Sequence, residues 1–167
     1  MQEQVELRDI IFENVDSILN LAPEQNQQRF VEPVSKIIAL AYAGINEKCA
    51  GFLQAVYYNG QPAGVILIGK SHVSEEEPDV LQKYEYAYRI VGFFIDKNYQ
   101  RKGIGKAALR LALEKLKAYP ESNNLPVYLE CHIENKVALA LYESFGFQNI
   151  NVIFRDDYSV LICFPNK

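Results

Sequence analysis

The stretch Val91–Lys117 constrains the fold of this chain more than any other part of its 167 residues. It begins as an apolar, aromatic strand that ends near Asp96, and a short basic turn with the glycines Gly103 and Gly105 follows. An amphipathic helix is predicted at once, over Gly105–Lys117. Its apolar face consists of Leu109, Ala112, Leu113 and Leu116. A buried strand, a tight turn and a helix in this order are typical of a sheet covered by helices.

The turn Gln100–Gly105 predicts a site for a phosphate group. The first backbone N–H groups of a helix lack partners within the helix, and the helix dipole adds positive charge at the same end. Arg101, Lys102 and Lys106 add further cationic charge. The turn matches neither GxxxxGK[ST] nor GxGxxG, so it is not a Walker A loop or a dinucleotide fingerprint. The turn alone leaves open that it binds nothing.

Hydrophobic periodicity predicts further elements on both sides of this stretch. Before it, these are a strand at Gln4–Arg8, a helix at Asn14–Leu21, a helix with Val34, Ile37, Ile38 and Ala41 on one face, and strands at Phe52–Tyr58 and Ala63–Ile68. A strand at Tyr84–Ile95 leads into the stretch. After it come a strand at Pro126–His132, a helix at Lys136–Phe145, and a hairpin of Val152–Arg155 and Tyr158–Phe164 around Asp156 and Asp157. Asn59-Gly60 predicts a type I′ hairpin turn, which needs positive φ at both residues. We expect one domain over residues 1–167, an α/β fold with a central mixed β-sheet flanked by helices on both faces.

The composition argues against several classes of function. A net charge of −4 and a pI near 5.3 disfavour a nucleic-acid-binding protein, which usually carries a basic face. Cys49, Cys131 and Cys163 form no CxxC pair, so no zinc or redox site is predicted, and their sparse, odd count fits a reducing compartment. The first residues do not resemble a signal peptide, and the apolar runs are too short to span a bilayer. We therefore expect a cytoplasmic protein with no metal, no nucleic-acid partner and no membrane partner.

Two motifs resemble the GNAT acetyltransferase family. The spacing Gln-x-x-Gly-x-Gly at Gln100–Gly105 is similar to the family's turn of Gln or Arg, two residues, Gly, one residue, and Gly or Ala. The segment Asn135–Phe147 is similar to its N-x-x-A-x-x-L-Y-x-x-x-G-F signature. Both occur in the family's order, and the resemblance covers roughly Tyr84–Phe164. It implies an N-acetyltransferase that uses acetyl-CoA as co-substrate.

The resemblance also implies which residues contact acetyl-CoA. In the family, the turn amides bind the pyrophosphate, and the pantetheine arm lies along the preceding strand, where two central strands part to admit it. The implied contacts are the backbone of Phe94, Ile95 and Asp96, the turn residues Gln100, Arg101, Lys102, Gly103, Ile104, Gly105 and Lys106, and Asn135.

Tyr142 matches the family's frequent general acid. An amine attacks the thioester directly, and a phenol with a pKa near ~10 stays protonated beside a leaving thiol with a pKa near ~8.5. A core tyrosine would give the same sequence pattern, because Tyr142 shares a helical face with apolar residues. The base is less defined, since Val91 occupies a position where the family often has a carboxylate. Glu85, Glu130, a water chain and His132 are the alternatives.

The acceptor prediction rests on a second resemblance. Glu24–Pro33 and the string FFIDKNYQRKGIGK are similar to spermine/spermidine acetyltransferases, which implies a small-molecule amine as acceptor and a homodimer. A polyamine groove needs carboxylates, which Glu24, Glu32 and Glu75 could supply. The rest of the acidic stretch Ser71–Val80 could add others, Glu76, Glu77 and Asp79. Another amine, or an acetyl-CoA sensor without turnover, is also compatible with the sequence.

Overall fold

The computed structural model describes residues 4–155 and 157–165, in which one mixed sheet carries helices on both faces. The strands are β1 (Val5–Asp9), β2 (Gly51–Tyr58), β3 (Gln61–His72), β4 (Tyr86–Ile95), β5 (Val127–His132), β6 (Gln148–Phe154) and β7 (Tyr158–Cys163). The helices are α1 (Val15–Leu19), α2 (Val34–Asn46), α3 (Ile104–Leu116) and α4 (Lys136–Glu143), with a 3₁₀ helix at Gln25–Phe30. The α/β fold class expected from the sequence is confirmed.

The strand order is β1-β2-β3-β4-β5-β7-β6. The β4–β5 pair is parallel, as the strand–helix alternation predicts, and the other neighbouring pairs are antiparallel. Asn59 and Gly60 both have positive φ, 49° and 78°, as a type I′ turn requires. The final hairpin forms, but β7 lies between β5 and β6, which periodicity along the chain cannot reveal. Asp156, predicted at its turn, lies outside the described residues.

Opposite faces of the sheet carry different apolar clusters. Val65 and Leu67 of β3 pack with Ile37 of α2, whereas Ile66 and Ile68 belong to the cluster that contains the apolar face of α3. Alternate strand residues point to opposite faces, so α2 and α3 cover the two sides of the same strands. Within the described residues, no helix is long and apolar enough to cross a bilayer.

A β-bulge interrupts β4 at Val91. Gly92 pairs with Leu67 and Ile90 pairs with Ile68, so Val91 is an extra residue in β4. Because of this extra residue, Ile90 packs on the α3 side while Phe94 packs on the α2 side, although both are even-numbered. The bulge therefore changes which side chains of β4 face each layer.

A glycine pair on β3 tests this packing. A Cβ at Gly64 would lie 2.4 Å from the Phe94 carbonyl oxygen, whereas a Cβ at Gly69 meets nothing within 4 Å. We expect Gly64→Ala to lower the free energy of unfolding in urea by about 1–3 kcal/mol, the usual cost of overpacking. The matched Gly69→Ala should stay within about 0.5 kcal/mol of the original protein. Equal losses in the two variants would contradict the close approach of β3 and β4.

Candidate active site

The site is formed where β4 and β5 part. In the part of the chain that the structure describes, they pair at two positions, Tyr88 with Val127 and Arg89 with Tyr128. Beyond these pairs, the second half of β4 borders a cavity of about 310 Å³ that also touches the start of α3, α4 and the 3₁₀ helix. The cavity is lined by Pro23, Gln27, Val31, Phe93, Phe94, Ile95, Tyr99, Gln100, Arg101, Gly103, Ile104, Gly105, Lys106, Asn135, Val137, Ala138, Leu141 and Tyr142.

The glycine turn lies at one end of this cavity. Gly103 is the N-cap of α3 with φ of 75°, and a Cβ there would meet nothing within 4 Å. The first helical hydrogen bond across this end runs from Ala107 N–H to the Gly103 carbonyl, so the amides of Ile104–Lys106 precede it. Arg101 also has positive φ, 63°, which is uncommon for a residue with a side chain. Open space, amides of a helix start and nearby cationic residues suit a phosphate group.

Asp96 has a structural role that the sequence did not indicate. Its carboxylate accepts hydrogen bonds from the Ala22 and Asn98 amides at 3.0 and 2.9 Å. Its own N–H donates to the Ala63 carbonyl, and its carbonyl accepts from the Tyr99 amide. Both backbone groups are therefore occupied, and Asp96 does not line the cavity. Asp96 thus has a role in holding the turn, and its contact with the pantetheine arm stays a prediction.

Two other turn residues also make hydrogen bonds within the protein. The Gln100 side chain donates to the Ile95 carbonyl, and it donates to the side-chain oxygen of Gln27 as well, both at 2.8 Å. Gln100 thus joins β4 to the 3₁₀ helix, although it still borders the cavity. The Lys102 ammonium donates to the Asn98 carbonyl at 3.4 Å, and Lys102 does not line the cavity. Lys102 can act on an anion here through its charge at a distance.

Glu24 lies beside the cofactor turn. Its carboxylate is 3.2 Å from the Arg101 guanidinium, which is 83% exposed. Glu24 therefore neutralises part of the phosphate loop, and its role as an acceptor-binding carboxylate stays a prediction. Exposed pairs of this kind contribute about 0–1 kcal/mol and are easily exchanged for another anion.

Tyr142 lies on α4 at the inner wall of the cavity and is 6% exposed. Its ring contacts Phe147 edge-on at 5.7 Å between centroids. Tyr142 therefore packs in the core and borders the cavity at the same time. Burial raises the pKa of the Tyr142 phenol above its usual value, and the neighbouring Cys131 adds to this. Burial likewise raises the pKa of Cys131 to about 12. Both groups are therefore neutral at physiological pH.

Asn135 begins α4, and its side-chain oxygen accepts a hydrogen bond from the Ala138 amide at 3.3 Å. The Asn and Ala of the signature are thus a helix cap and the residue it caps. Asn135 also borders the cavity, so capping and a contact with the CoA arm are compatible.

The candidate bases lie in different places. Glu85 precedes β4 and is exposed, and it is six residues, or about 20 Å of strand, from Val91. That distance is outside the reach of a general base, so the structure does not bring Glu85 to the site. Glu130 lies on β5, and its carboxylate is 2.8 Å from the Arg89 guanidinium.

His132, two residues further along β5, is held between aromatic rings. Its ring lies 4.9 Å from that of Phe30 and 5.2 Å from that of Tyr158. The His132 Nδ1 atom accepts a hydrogen bond from the Glu134 amide at 3.2 Å. In the neutral ring this bond places the proton on Nε2, so the outer nitrogen is a donor rather than a base.

The predicted acceptor carboxylates are not gathered together. Glu32 and Glu75 are exposed, and neither lines the cavity. In the acidic stretch, Glu77 makes the contact with the sheet, where the Tyr128 hydroxyl donates to it at 3.3 Å. Burial opposes ionisation of Glu77, but hydrogen bonds from Ser74 and Tyr128 outweigh it and lower the pKa of this carboxyl.

Several lining residues were missed by the sequence interpretation. The 3₁₀ helix region contributes Pro23, Gln27 and Val31, and its short length gives no periodic signal. The remaining missed residues are Phe93, Tyr99, Val137, Ala138 and Leu141. Ala138 and Leu141 were detectable, because both are fixed positions of the Asn135–Phe147 motif. In the described residues, no three His, Cys, Asp or Glu side chains are close enough to hold a metal ion.

A parted pair of parallel strands, a helix start suited to an anion and a buried phenol are the features expected of an acyl-CoA-dependent acyltransferase. The chain belongs to the acetyltransferase (GNAT) family, whose model matches residues 15–147. The structural resemblance to solved acetyltransferases supports the same fold.

Three comparisons describe its relatives. A "Probable spermine N(1)-acetyltransferase" of Bacillus subtilis subsp. natto is 29% identical over 144 residues, which are 86% of this chain and 88% of that protein. The N-alpha-acetyltransferase RimI of Mycobacterium tuberculosis is 34% identical over 98 residues, 58% of this chain and 54% of that protein. A crystal structure of spermidine N-acetyltransferase from Vibrio cholerae, in complex with CoA and spermine, has a TM-score of 0.61 and 20% identity, covering 95% of this chain and 93% of that one.

Gly103 offers a direct test of the anion site. We expect Gly103→Asp to weaken CoA binding by more than tenfold, which is about 1.4 kcal/mol, because it places a negative charge beside the pyrophosphate. Gly103→Asn is the matched control, since it has the same shape and tolerates positive φ but carries no charge. Titration calorimetry of both variants measures the difference. Equal affinities in the two variants would mean that the pyrophosphate binds elsewhere.

Proposed function

We propose that the protein transfers the acetyl group of acetyl-CoA to a primary amine, and that the preferred amine is a polyamine such as spermidine or spermine. The observation that carries the transfer is the cavity along the second half of β4, beyond its last pair with β5, which has the start of α3 at one end and Tyr142 on its wall. The widely separated, unpaired cysteines fit the expected cytoplasmic location.

The residues present suit acetyl-CoA. The turn amides and Arg101 would hold the phosphates, and the second half of β4 offers, on its β5 side, a backbone edge that no strand of the described chain pairs with. The amine nitrogen attacks the thioester carbonyl carbon, the carbon–sulfur bond breaks with its electron pair on sulfur, and the nitrogen loses a proton to a base. Tyr142, kept neutral by burial, donates a hydrogen bond or its proton to the departing sulfur.

A polyamine acceptor is supported by the relative that covers 86% of the chain and by the charge on the α2 side of the sheet. Glu77 reaches β5 from the acidic stretch, and Glu130 lies on the same face of that strand. A surface with carboxylates raises the local concentration of a cation.

A second candidate acceptor is the N-terminal amine of a peptide. The 34% identity to an N-alpha-acetyltransferase favours it, although it covers about half of that protein. The donor nitrogen of His132, next to Phe30 and Tyr158, is suited to a peptide carbonyl. Release of free CoA thiol with spermidine, spermine, monoamines, amino acids and short peptides separates the candidates. Turnover of peptides but not polyamines would overturn the polyamine proposal, and tight CoA binding without any turnover would indicate a sensor.

The role of Tyr142 is testable by removing one oxygen atom. We expect Tyr142→Phe to lower kcat by about 10²-fold or more, since general acid help is worth about 10²–10⁴, and to leave acetyl-CoA binding unchanged. Tyr119→Phe is the control, because Tyr119 packs on Phe52 in the same core but does not line the cavity. Single-turnover rates avoid masking by product release. Normal single turnover with a lowered melting temperature would make Tyr142 a core residue alone.

The acceptor charge is testable through salt and Glu77. We expect the KM for spermidine to rise with ionic strength more steeply than that for propylamine, because the Debye length falls from ~10 Å at 0.1 M to ~3 Å at 1 M. Glu77→Gln should raise the spermidine KM several-fold without a comparable change for propylamine. Glu75→Gln, an exposed change in the same stretch, serves as the control. If the two amines respond alike to salt and to Glu77→Gln, the acceptor surface is not selective for polycations.

A further inference from the structure

The ion pair between Glu24 and Arg101 lies at the edge of the cavity assigned to acetyl-CoA. The Arg101 Nη2 atom is 3.2 Å from one carboxylate oxygen of Glu24 and 3.5 Å from the other. Arg101 lines the cavity, whereas Glu24 does not. Glu24 therefore contacts, from outside the cavity, the same guanidinium that would hold the phosphates of CoA.

The backbone on both sides of Glu24 is fastened near the glycine turn by bonds other than this ion pair. Two residues before it, the Ala22 N–H donates to the Asp96 carboxylate at 3.0 Å. Three residues after it, the side-chain oxygen of Gln27 accepts from the Gln100 amide group at 2.8 Å. A charged group that its own chain holds next to an opposite charge competes at a high effective concentration. The carboxylate of Glu24 is therefore held ready to pair with the guanidinium.

The pair is also weak enough to open. The Arg101 side chain is 83% exposed and that of Glu24 is 33% exposed, and exposed ion pairs shift an equilibrium by at most about fivefold. Glu24 is the N-cap of the 3₁₀ helix, but its side chain caps no amide of that helix. Lys97 borders the same shallow depression as Glu24, so a second cation is close to the carboxylate when it leaves Arg101. The contact can therefore break without the loss of a helix cap.

A phosphate at Arg101 has to compete with Glu24. Both are anions, and like charges brought to one guanidinium repel each other. The pyrophosphate has further partners, because it also meets the amides at the start of α3 and the charge of Lys106, which lines the cavity. Its binding therefore prevails, but it includes the cost of displacing the carboxylate.

We propose that Glu24 is an intramolecular competitor of the CoA phosphates for Arg101. The pyrophosphate displaces the carboxylate when acetyl-CoA binds, and the carboxylate returns to Arg101 as CoA leaves. This inference rests on the binding of acetyl-CoA in the proposed function and is independent of which amine is the acceptor. The competition lowers the affinity for CoA and speeds the departure of the spent cofactor, and product release limits the turnover of many enzymes.

The first measurement removes the charge of Glu24 and needs no turnover. In Glu24→Gln we expect CoA to bind about two- to fivefold more tightly, mostly through slower dissociation, because the competing anion is gone. Surface plasmon resonance gives both the Kd and the dissociation rate. Glu32→Gln removes the same charge from an exposed position of the same segment and should leave both values unchanged. A carboxylate that only held the turn in place would have the opposite effect, so weaker or unchanged CoA binding in Glu24→Gln would overturn the proposal.

The second measurement asks whether Glu24 acts through Arg101. In a double-mutant cycle, Glu24→Gln introduced into Arg101→Gln should give less than half of the gain in CoA affinity that it gives in the original protein. The same gain in both backgrounds would mean that Glu24 repels CoA without competing for Arg101, and it would overturn the inference while leaving the acetyltransferase proposal intact. Failure of the unmodified protein to bind CoA would instead overturn the proposed function, and this inference with it.

Discussion

The separation of β4 from β5 is the constraint on which the rest of the site depends. Parallel neighbours in a sheet normally continue their ladder, but within the described chain this one ends after Arg89 and Tyr128. Two residues later, the bulge at Val91 changes the direction and facing of β4. The result is a strand edge inside the protein that borders a cavity instead of a neighbour. Buried backbone groups need partners, so such an edge is suited to a ligand that has amides of its own.

Most polar residues around the cavity hold the scaffold. The Asp96 carboxylate fixes the chain at Ala22, Gln100 joins β4 to Gln27, and Asn135 caps α4. These bonds place the turn and α4 on either side of the cavity. The groups that would contact a ligand are therefore already held in position. A signature residue such as Asn135 can therefore hold the scaffold and also border the cavity.

The sequence predicted the features that arise from local patterns. Periodicity located the long strands and α3, and the Asn59-Gly60 pair predicted the positive φ that both residues have. The arrangement of distant parts was not predictable in the same way. Nothing local indicates that β7 enters between β5 and β6, or that Val91 is a bulge. The partners of the acidic residues were not predictable from local patterns either.

The charge of the acidic residues is evident from the sequence, but their partners depend on tertiary contacts. Glu24 faces Arg101, Glu130 faces Arg89, and Glu77 rather than Glu75 reaches the sheet. The composition suggests an open acidic groove. In the structure, however, these carboxylates form ion pairs or hydrogen bonds with other residues of the same chain.

The segment around the 3₁₀ helix has a consequence for exchanging parts between relatives. It is fastened to the cofactor turn through Gln27 and Glu24, and to the far side of the opening through Arg29, which lies 2.6 Å from Glu134. If this segment were replaced by that of a protein with another acceptor, the new segment would lack the residues that it contacts in its own protein. Such a transplant would have to carry the matching partners at positions 96, 100, 101 and 134 along with it, so these positions form one module that is inherited or engineered together.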